Sequence, residues 1–330
     1  MSPEDAVDRF LRERKAEVAK STLQNNRYAL QRFTEWAEGE VLEDISELDG
    51  FHIHDFKLHR REEGVNELTL RNNLSALRVF IKWLESMGVV EGVSENIIMP
   101  SPDEVARTDR IEPDTAEQIL SYLQKFEYAT IRHSLFALMW DTGFRLGTVY
   151  ALDVDDYHPD ERYIDVVHRP DEGTPLKLKK SAERQVNLHS WVCDVLDDYI
   201  EFNRERVTDD AGRQPLSTTS NGRMAKTNLR AHINFITRPC YFSGHCPHDR
   251  VESVCDAASY YNKTQEWPSS VPPHTIRRSA ITAWLNEGHP KELLSDRMNV
   301  GTDTLEKHYD ARTESEKREL RRDEFGMSEE

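Results

Sequence analysis

The stretch PPHTIRRSAITAW, residues 272–284, places a His and an Arg three positions apart where a helix should begin. Pro272 and Pro273 do not fit inside a helix, so the pattern predicts one opening near His274 or Thr275. Ile276, Ala280, Ala283 and Trp284 then recur at helical spacing and supply its core face. His274 and Arg277 are one turn apart and point the same way. An imidazole, a guanidinium and the N–H groups of a first helical turn can all donate to one phosphate. With 13 His and 30 Arg in 330 residues, about one H-x-x-R arises by chance, so the pair needs partners. Three further stretches offer them. DTGFRLGTVYAL sets Arg145 just after a Thr-Gly turn at a helix junction. KLKKSAER carries Lys177, Lys179 and Lys180 on a hairpin ahead of Arg184. LEKHYDART brings Tyr309 on a short helix after Gly301.

The elements that must position these groups are mainly helical. In STLQNNRYALQRFTEWAE, Leu23, Tyr28, Leu30, Phe33 and Trp36 fall near helical spacing, with Ser21 or Thr22 as N-cap. NELTLRNNLSALRVFIKWLESMG repeats the pattern with Leu70, Leu74, Leu77, Phe80, Ile81 and Leu84, and stops at Gly88. Residues 95–110 carry Pro and charge without periodicity and read as a linker. Beyond it, DTAEQILSYLQKF reads as a capped helix, and SLFALMWDTGFRLGTVYAL as a buried helix interrupted at Gly143. YIDVVH (163–168) and RQVNL (184–188) alternate like strands, and helices return to the end of the chain. The expected fold is mainly α with a small β-sheet (α+β). A helical domain over 1–94 and the linker precede a mixed domain over 111–330.

The order and spacing of these groups resemble the tyrosine recombinases of the phage-integrase type over nearly the whole chain, most closely those of salt-loving archaea. The resemblance rests on T-G-x-R at Arg145, H-x-x-R at His274–Arg277 and the terminal Tyr309. The pattern of Tyr28, Phe33 and Trp36 is similar to the family's helical (SAM-like) core-binding domain, with the catalytic domain following. It implies a site-specific recombinase that cuts and rejoins DNA through a 3′-phosphotyrosyl link, with no metal or ATP. The residues suit that chemistry. Arg145 and Arg277 would clamp the non-bridging oxygens of the anionic phosphodiester. Tyr309 would be the nucleophile, activated by the surrounding cations. His274 would act as base or hydrogen-bond donor, and a hairpin Lys would protonate the leaving 5′-oxygen. The family's spacing back from Arg184 picks Lys179, with Lys177 and Lys180 as alternatives. Duplex DNA is the implied partner, bound by a homo-tetramer on paired sites, with the terminal TESEKRELRRDEF helix docking on a neighbouring protomer.

Two positions depart from the family pattern. Val300 stands nine residues before Tyr309, where a His or Trp is usual, so a phosphate donor is lost unless His308 or solvent replaces it. An acidic residue is also missing after T-G-x-R, where LGT stands. The alternative expectation is therefore a weakly catalytic or inactive DNA-binding regulator of the same fold. A relaxing, topoisomerase-like activity would share the chemistry without the sequence preference.

Cys240, Cys246 and Cys255 lie within sixteen residues, with His245 and His248 between them, a spacing that suits structural Zn²⁺. Related archaeal integrases resemble this stretch but carry a fourth Cys where Trp267 stands. Cys193 falls on an amphipathic helix and reads as core. Four Cys form no disulfide framework. No apolar run could span a bilayer, and MSPEDAVDRF is not a signal peptide, so a soluble, cytoplasmic protein is expected. There are 60 acidic and 43 basic residues, for a net charge of −17, and only 13 of the basic ones are Lys. That balance alone argues against a nucleic-acid partner. In molar salt, however, the Debye length falls to about 3 Å, and short-range bidentate Arg contacts still work. Scarce Lys beside abundant Arg favours the saline reading, so the charge leaves DNA open as a substrate.

Overall fold

A computed structural model describes the chain except residues 40–41, 102–109, 260, 310–313 and 325–330. The expected linker over 95–110 thus lies mostly outside the described residues. The chain divides into two compact units, Met1–Ala106 and Arg107–Glu330.

The first unit is helical: α1 (Pro3–Arg14), α2 (Lys20–Gly39), α3 (Gly50–Glu62) and α4 (Glu67–Ser86). Local chemistry sets the helix starts. Ser2 accepts from the Asp5 N–H, with Pro3 in the first turn of α1. Asp49 caps α3 and Asn66 caps α4. The apolar stripe of α4 is buried from Leu70 to Leu84 and packs with Phe10, Leu30, Phe33 and Phe56 into one core. Phe33 meets Phe56 edge to face at 5.6 Å, a favoured aromatic geometry. Two expectations are corrected here. The helix α2 opens at Lys20, so Ser21 and Thr22 lie in its first turn instead of capping it. Tyr28 is 54 % exposed, because the buried stripe runs through Ala29, Leu30, Phe33, Trp36 and Ala37. The Arg32 guanidinium covers its ring instead, 5.3 Å from the centroid.

The second unit is built around α6 (Ile131–Thr142), flanked by α5 (Pro113–Phe126) and α7 (Leu146–Ala151). Helix α6 is buried on nearly all sides, as expected of a central helix. It ends at Gly143, whose φ of +60° is the left-handed conformation that glycine adopts freely. A three-stranded antiparallel sheet follows, in the order β1 (Tyr157–His158), β2 (Tyr163–Val166) and β3 (Arg184–Asn187). Its register pairs Tyr163 with Asn187 and Val166 with Arg184. Ile164, Val166 and Val186 point into the main core, which includes Cys193 of α8 (Ser190–Asp198).

A small hairpin, β4 (Thr218–Thr219) and β5 (Gly222–Arg223), leads to α9 (Lys226–Ile236). The short α10 (Pro239–Ser243) and α11 (Asp256–Ser259) frame the cysteine-bearing segment. Four helices close the chain: α12 (Pro273–Asn286), α13 (Lys291–Met298), α14 (Thr302–His308) and α15 (Glu314–Glu324). Among the described residues no helix is long and apolar enough to cross a membrane.

Candidate active site

Three helix ends in the second unit meet around one arginine: the end of α6, the start of α12 and the end of α13. Helix α12 opens with Pro273 as its first residue, so His274 lies in the first turn and Arg277 in the next. Arg277 is 4 % exposed. Its Nη1 donates to the Gly143 carbonyl at the end of α6, and its Nη2 to the Met298 carbonyl, at 2.8 Å, at the end of α13. Helix C-termini present unpaired carbonyls and partial negative charge, so two of them form a natural seat for a guanidinium. Arg145 follows Gly143 by two residues and opens α7. Its Nη1 donates to the Asn299 carbonyl at 2.9 Å.

The Tyr309 side chain lies close enough to Arg277 to favour its charged form. Tyr309 sits at the C-terminus of α14, and its own carbonyl accepts from Thr282 Oγ1 at 3.1 Å. Arg145, Lys177, His274, Arg277 and Tyr309 all line a cleft of about 820 Å³, joined by Arg230 and Arg278. No Asp or Glu is among the described residues lining it, in a chain of net charge −17. A second cleft, of about 720 Å³, shares Arg145, Lys177 and Tyr309 and adds Arg184, Asn299 and Val300 together with Glu183, Glu292 and Asp296.

The electrostatics are those of cations held together. Burial lowers the pKa of Arg277 to about 10, and the charges of Arg145 and Arg184 push it the same way, while Tyr309 opposes them. Arg184 falls to about 10 through burial and then the charge of Arg145. Arg145 is lowered by burial, with Tyr309 opposing. All three remain protonated at neutral pH.

Four of the five residues expected to carry chemistry, Arg145, His274, Arg277 and Tyr309, share the first cleft. Lys179 does not line either cleft. It is exposed and starts the 3₁₀ turn Lys179–Ala182 with a φ of +53°, whereas Lys177 lines both clefts. Lys180 is exposed and lines neither. Val300 is 6 % exposed and packs with Ile281, Leu285, Met298 and Leu305. The His308 side chain lies outside the described residues. Sequence reasoning missed Asn299 as a participant and used Arg184 only as a landmark. A signal for Asn299 existed, since Asn is enriched among the non-glycine residues that end a helix in the left-handed conformation.

Cys240, Cys246 and Cys255 gather around the indole of Trp267, which is 2 % exposed. The His248 ring meets that indole edge-on at 5.0 Å, and Arg238, 1 % exposed, donates to the Ala257 carbonyl at 2.8 Å. Among the described residues no group of three His, Cys, Asp or Glu is arranged to hold a metal ion. The possible zinc residues Cys240, Cys246 and Cys255 thus share one small cluster with the bulky Trp267.

Comparison with known proteins places this cleft in context. No curated protein matches the chain. Among solved structures, the Tn1549 transposon integrase in complex with a circular intermediate DNA is similar at a TM-score of 0.72. It is 17 % identical, over 98 % of this chain and 99 % of its own. A lambda integrase dimer bound to a COC′ core site is similar at a TM-score of 0.64, with 13 % identity over 95 % and 97 % of the two chains. At such identities the likeness shows the fold. Residues 6–88 match the phage integrase N-terminal SAM-like domain. Because residues 109–314, well over half of the chain, match the model of the phage integrase family itself, the chain belongs to the phage integrase family.

Proposed function

We propose that this protein is a site-specific DNA recombinase that cuts and rejoins strands through a 3′-phosphotyrosyl intermediate. The observation that carries the reading is the cleft joining Arg145, Lys177, His274 and Arg277 to Tyr309, with no carboxylate among its described lining residues. In the proposed step the Tyr309 hydroxyl oxygen attacks phosphorus, and its proton passes to His274 or solvent. The phosphorus–O5′ bond breaks, and a hairpin ammonium protonates the departing 5′-oxygen. Lys177, which faces the cleft, is the proton donor in this reading, in place of Lys179. Arg145 and Arg277 balance the charge that builds on the non-bridging oxygens. One phosphodiester is exchanged for another, so a second 5′-hydroxyl can reverse the step without ATP. No step is routed through a metal.

Duplex DNA, a tetramer on paired sites with α15 docked on a neighbour, and a cytoplasm rich in salt complete the proposal. The low Lys content beside 30 Arg supports the saline setting. Val300, buried where a donor would serve the phosphate, favours a second reading as a slow enzyme or a DNA-binding regulator.

The deciding experiment mixes the protein, in multi-molar KCl, with nicked fragments of the DNA flanking its own gene. A protein–DNA adduct that survives SDS and disappears in Tyr309→Phe is expected. Specific DNA binding with no adduct on any fragment would replace the enzyme by the regulator.

A further inference from the structure

Asn299 occupies a junction that neither the family pattern nor the five expected residues account for. It ends α13 in the left-handed conformation, with φ +49° and ψ +64°. Its backbone carbonyl accepts from Arg145 at 2.9 Å and from Arg277 at 3.5 Å. Its side-chain Nδ2 donates to the Ser181 carbonyl at 2.9 Å, across 118 positions of sequence. Ser181 lies in the turn that follows Lys177. A second tie joins the same segments, since Arg184 donates from Nε to the Arg297 carbonyl and from Nη1 to the Ala182 carbonyl, both at 2.8 Å. The lysine hairpin is thus fastened to the end of α13: Asn299 serves the arginines mainly with its backbone carbonyl, with its Oδ1 3.5 Å from Arg145 Nη1, and the hairpin with its Nδ2.

The residue type fits both duties. Glycine and asparagine are the residues that adopt the left-handed conformation most readily. Of these two, asparagine alone also brings an amide. Val300, the next residue, is committed to the apolar cluster around Leu285 and Leu305 and offers no donor.

We propose that Asn299 is a positioning residue: its amide holds the hairpin so that the Lys177 ammonium reaches the departing 5′-oxygen. This rests on the recombinase reading above. A misplacement of about 1 Å costs roughly 10²-fold in rate, so a single amide–carbonyl bond is enough to matter.

The test separates proton delivery from general structure. The cleavage position is first mapped from the wild-type adduct on flanking DNA. Two substrates are then made, one with the ordinary phosphate and one with sulfur in place of the 5′-bridging oxygen. A thiol, with a pKa of about 8.5 against about 15.7 for water, leaves as its anion and needs no proton donor. Asn299→Gly keeps the backbone conformation and deletes the amide, and Asn299→Asp keeps the size and deletes the donor.

On the ordinary phosphate, single-turnover adduct formation by N299G and N299D should fall about 10²-fold. On the sulfur substrate N299G should match wild type, as Lys177→Ala should, while Arg145→Ala stays slow on both. Thermal unfolding of N299G close to wild type accompanies that result. An N299G that is equally slow on both substrates, or slow on neither, overturns the assignment while leaving the recombinase reading intact. A wild type that forms no adduct on any fragment overturns the recombinase reading itself, and the Asn299 assignment with it.

Discussion

Gly143→Ala is the sharpest probe of how the fold holds its arginines. Gly143 has a φ of +60°, and a Cβ built there would stand 3.1 Å from Met298 Sδ and 3.4 Å from its Cγ and Cε. The left-handed conformation costs an alanine about 1–2 kcal/mol. Met298 is fully buried, so crowding adds about 1 kcal/mol at the low end of overpacking costs. The sum is about 2–3 kcal/mol. For a unit of this size, each kcal/mol lowers Tm by about 2–4 °C, which gives a fall of roughly 4–12 °C. The rate should suffer beyond that. Gly143 and Met298 supply the two shortest carbonyl contacts to Arg277, and the new methyl group pushes them apart. Displacing the guanidinium by about 1 Å would slow adduct formation roughly 10²-fold.

The assay pairs thermal unfolding with single-turnover adduct formation about 20 °C below the wild-type midpoint, where the variant stays folded. Gly143→Asn, which tolerates the conformation but carries the same Cβ, should regain part of the Tm and little of the rate. An alanine variant that melts with wild type and reacts at its rate would refute the steric reasoning. A lowered Tm with an unchanged rate would refute the link from Gly143 to Arg277.

Other outcomes follow from the same geometry. Lys177→Ala should slow adduct formation about 10²-fold or more in single-turnover assays, with Lys179→Ala within a few-fold of wild type; the reverse order would return the proton to Lys179. His133 is buried, accepts from the Ala129 N–H through Nδ1, and has its pKa lowered to about 4 by burial. The unfolded chain binds that proton near pH 6.5, so stability holds above pH 6.5 and falls by about 3 kcal/mol as pH drops towards 4, with no further loss from this group below that. His133→Gln should flatten that slope in denaturant titrations at pH 7 and pH 4.5. Chelator treatment should leave Tm unchanged, and the purified protein should hold less than stoichiometric zinc by elemental analysis. A chelator-sensitive Tm would show that the thiols do assemble a metal site.

Much of this was legible because periodicity reports burial. Leu70, Leu74, Leu77, Phe80, Ile81 and Leu84 all lie in the core their spacing implied. The break at Gly143 was legible because few other residues turn that way. Tyr28 was misread because one position of phase, about 100° around a helix, separates the buried stripe from solvent. The choice among Lys177, Lys179 and Lys180 lay beyond spacing, since side-chain direction in a turn depends on backbone angles such as the φ of +53° at Lys179. The cysteine spacing suggested metal because short loops bring thiols together. It could not reveal that all three pack in one cluster with the buried Trp267 indole. Asn299 stayed hidden for a related reason: its partners Arg145 and Ser181 are more than a hundred residues away.

In the proposed recombinase, the three arginines would let so acidic a chain handle a polyanion. A guanidinium whose folded pKa is depressed, as that of Arg277 is to about 10, carries its charge at a cost to folding. The cost is fully present below pH 10 and is relieved only above it, as the group loses its proton ahead of its unfolded counterpart. At neutral pH the fold therefore bears first the desolvation of Arg145, Arg184 and Arg277 and then repulsion between them, with all three held in place by the carbonyls of Gly143, Met298, Asn299 and Arg297. A phosphodiester entering the cleft turns that repulsion into attraction. Molar salt screens the diffuse surface charge almost completely but reaches a 4 % exposed side chain far less. DNA affinity should accordingly fall less steeply with salt than it would for a surface of exposed lysines, and Arg277→Ala should bind DNA more weakly at high KCl while gaining little at low KCl. An Arg277→Ala protein with the same affinity as wild type at every salt concentration would move the binding energy to other contacts and leave the buried arginines a role in the reaction alone.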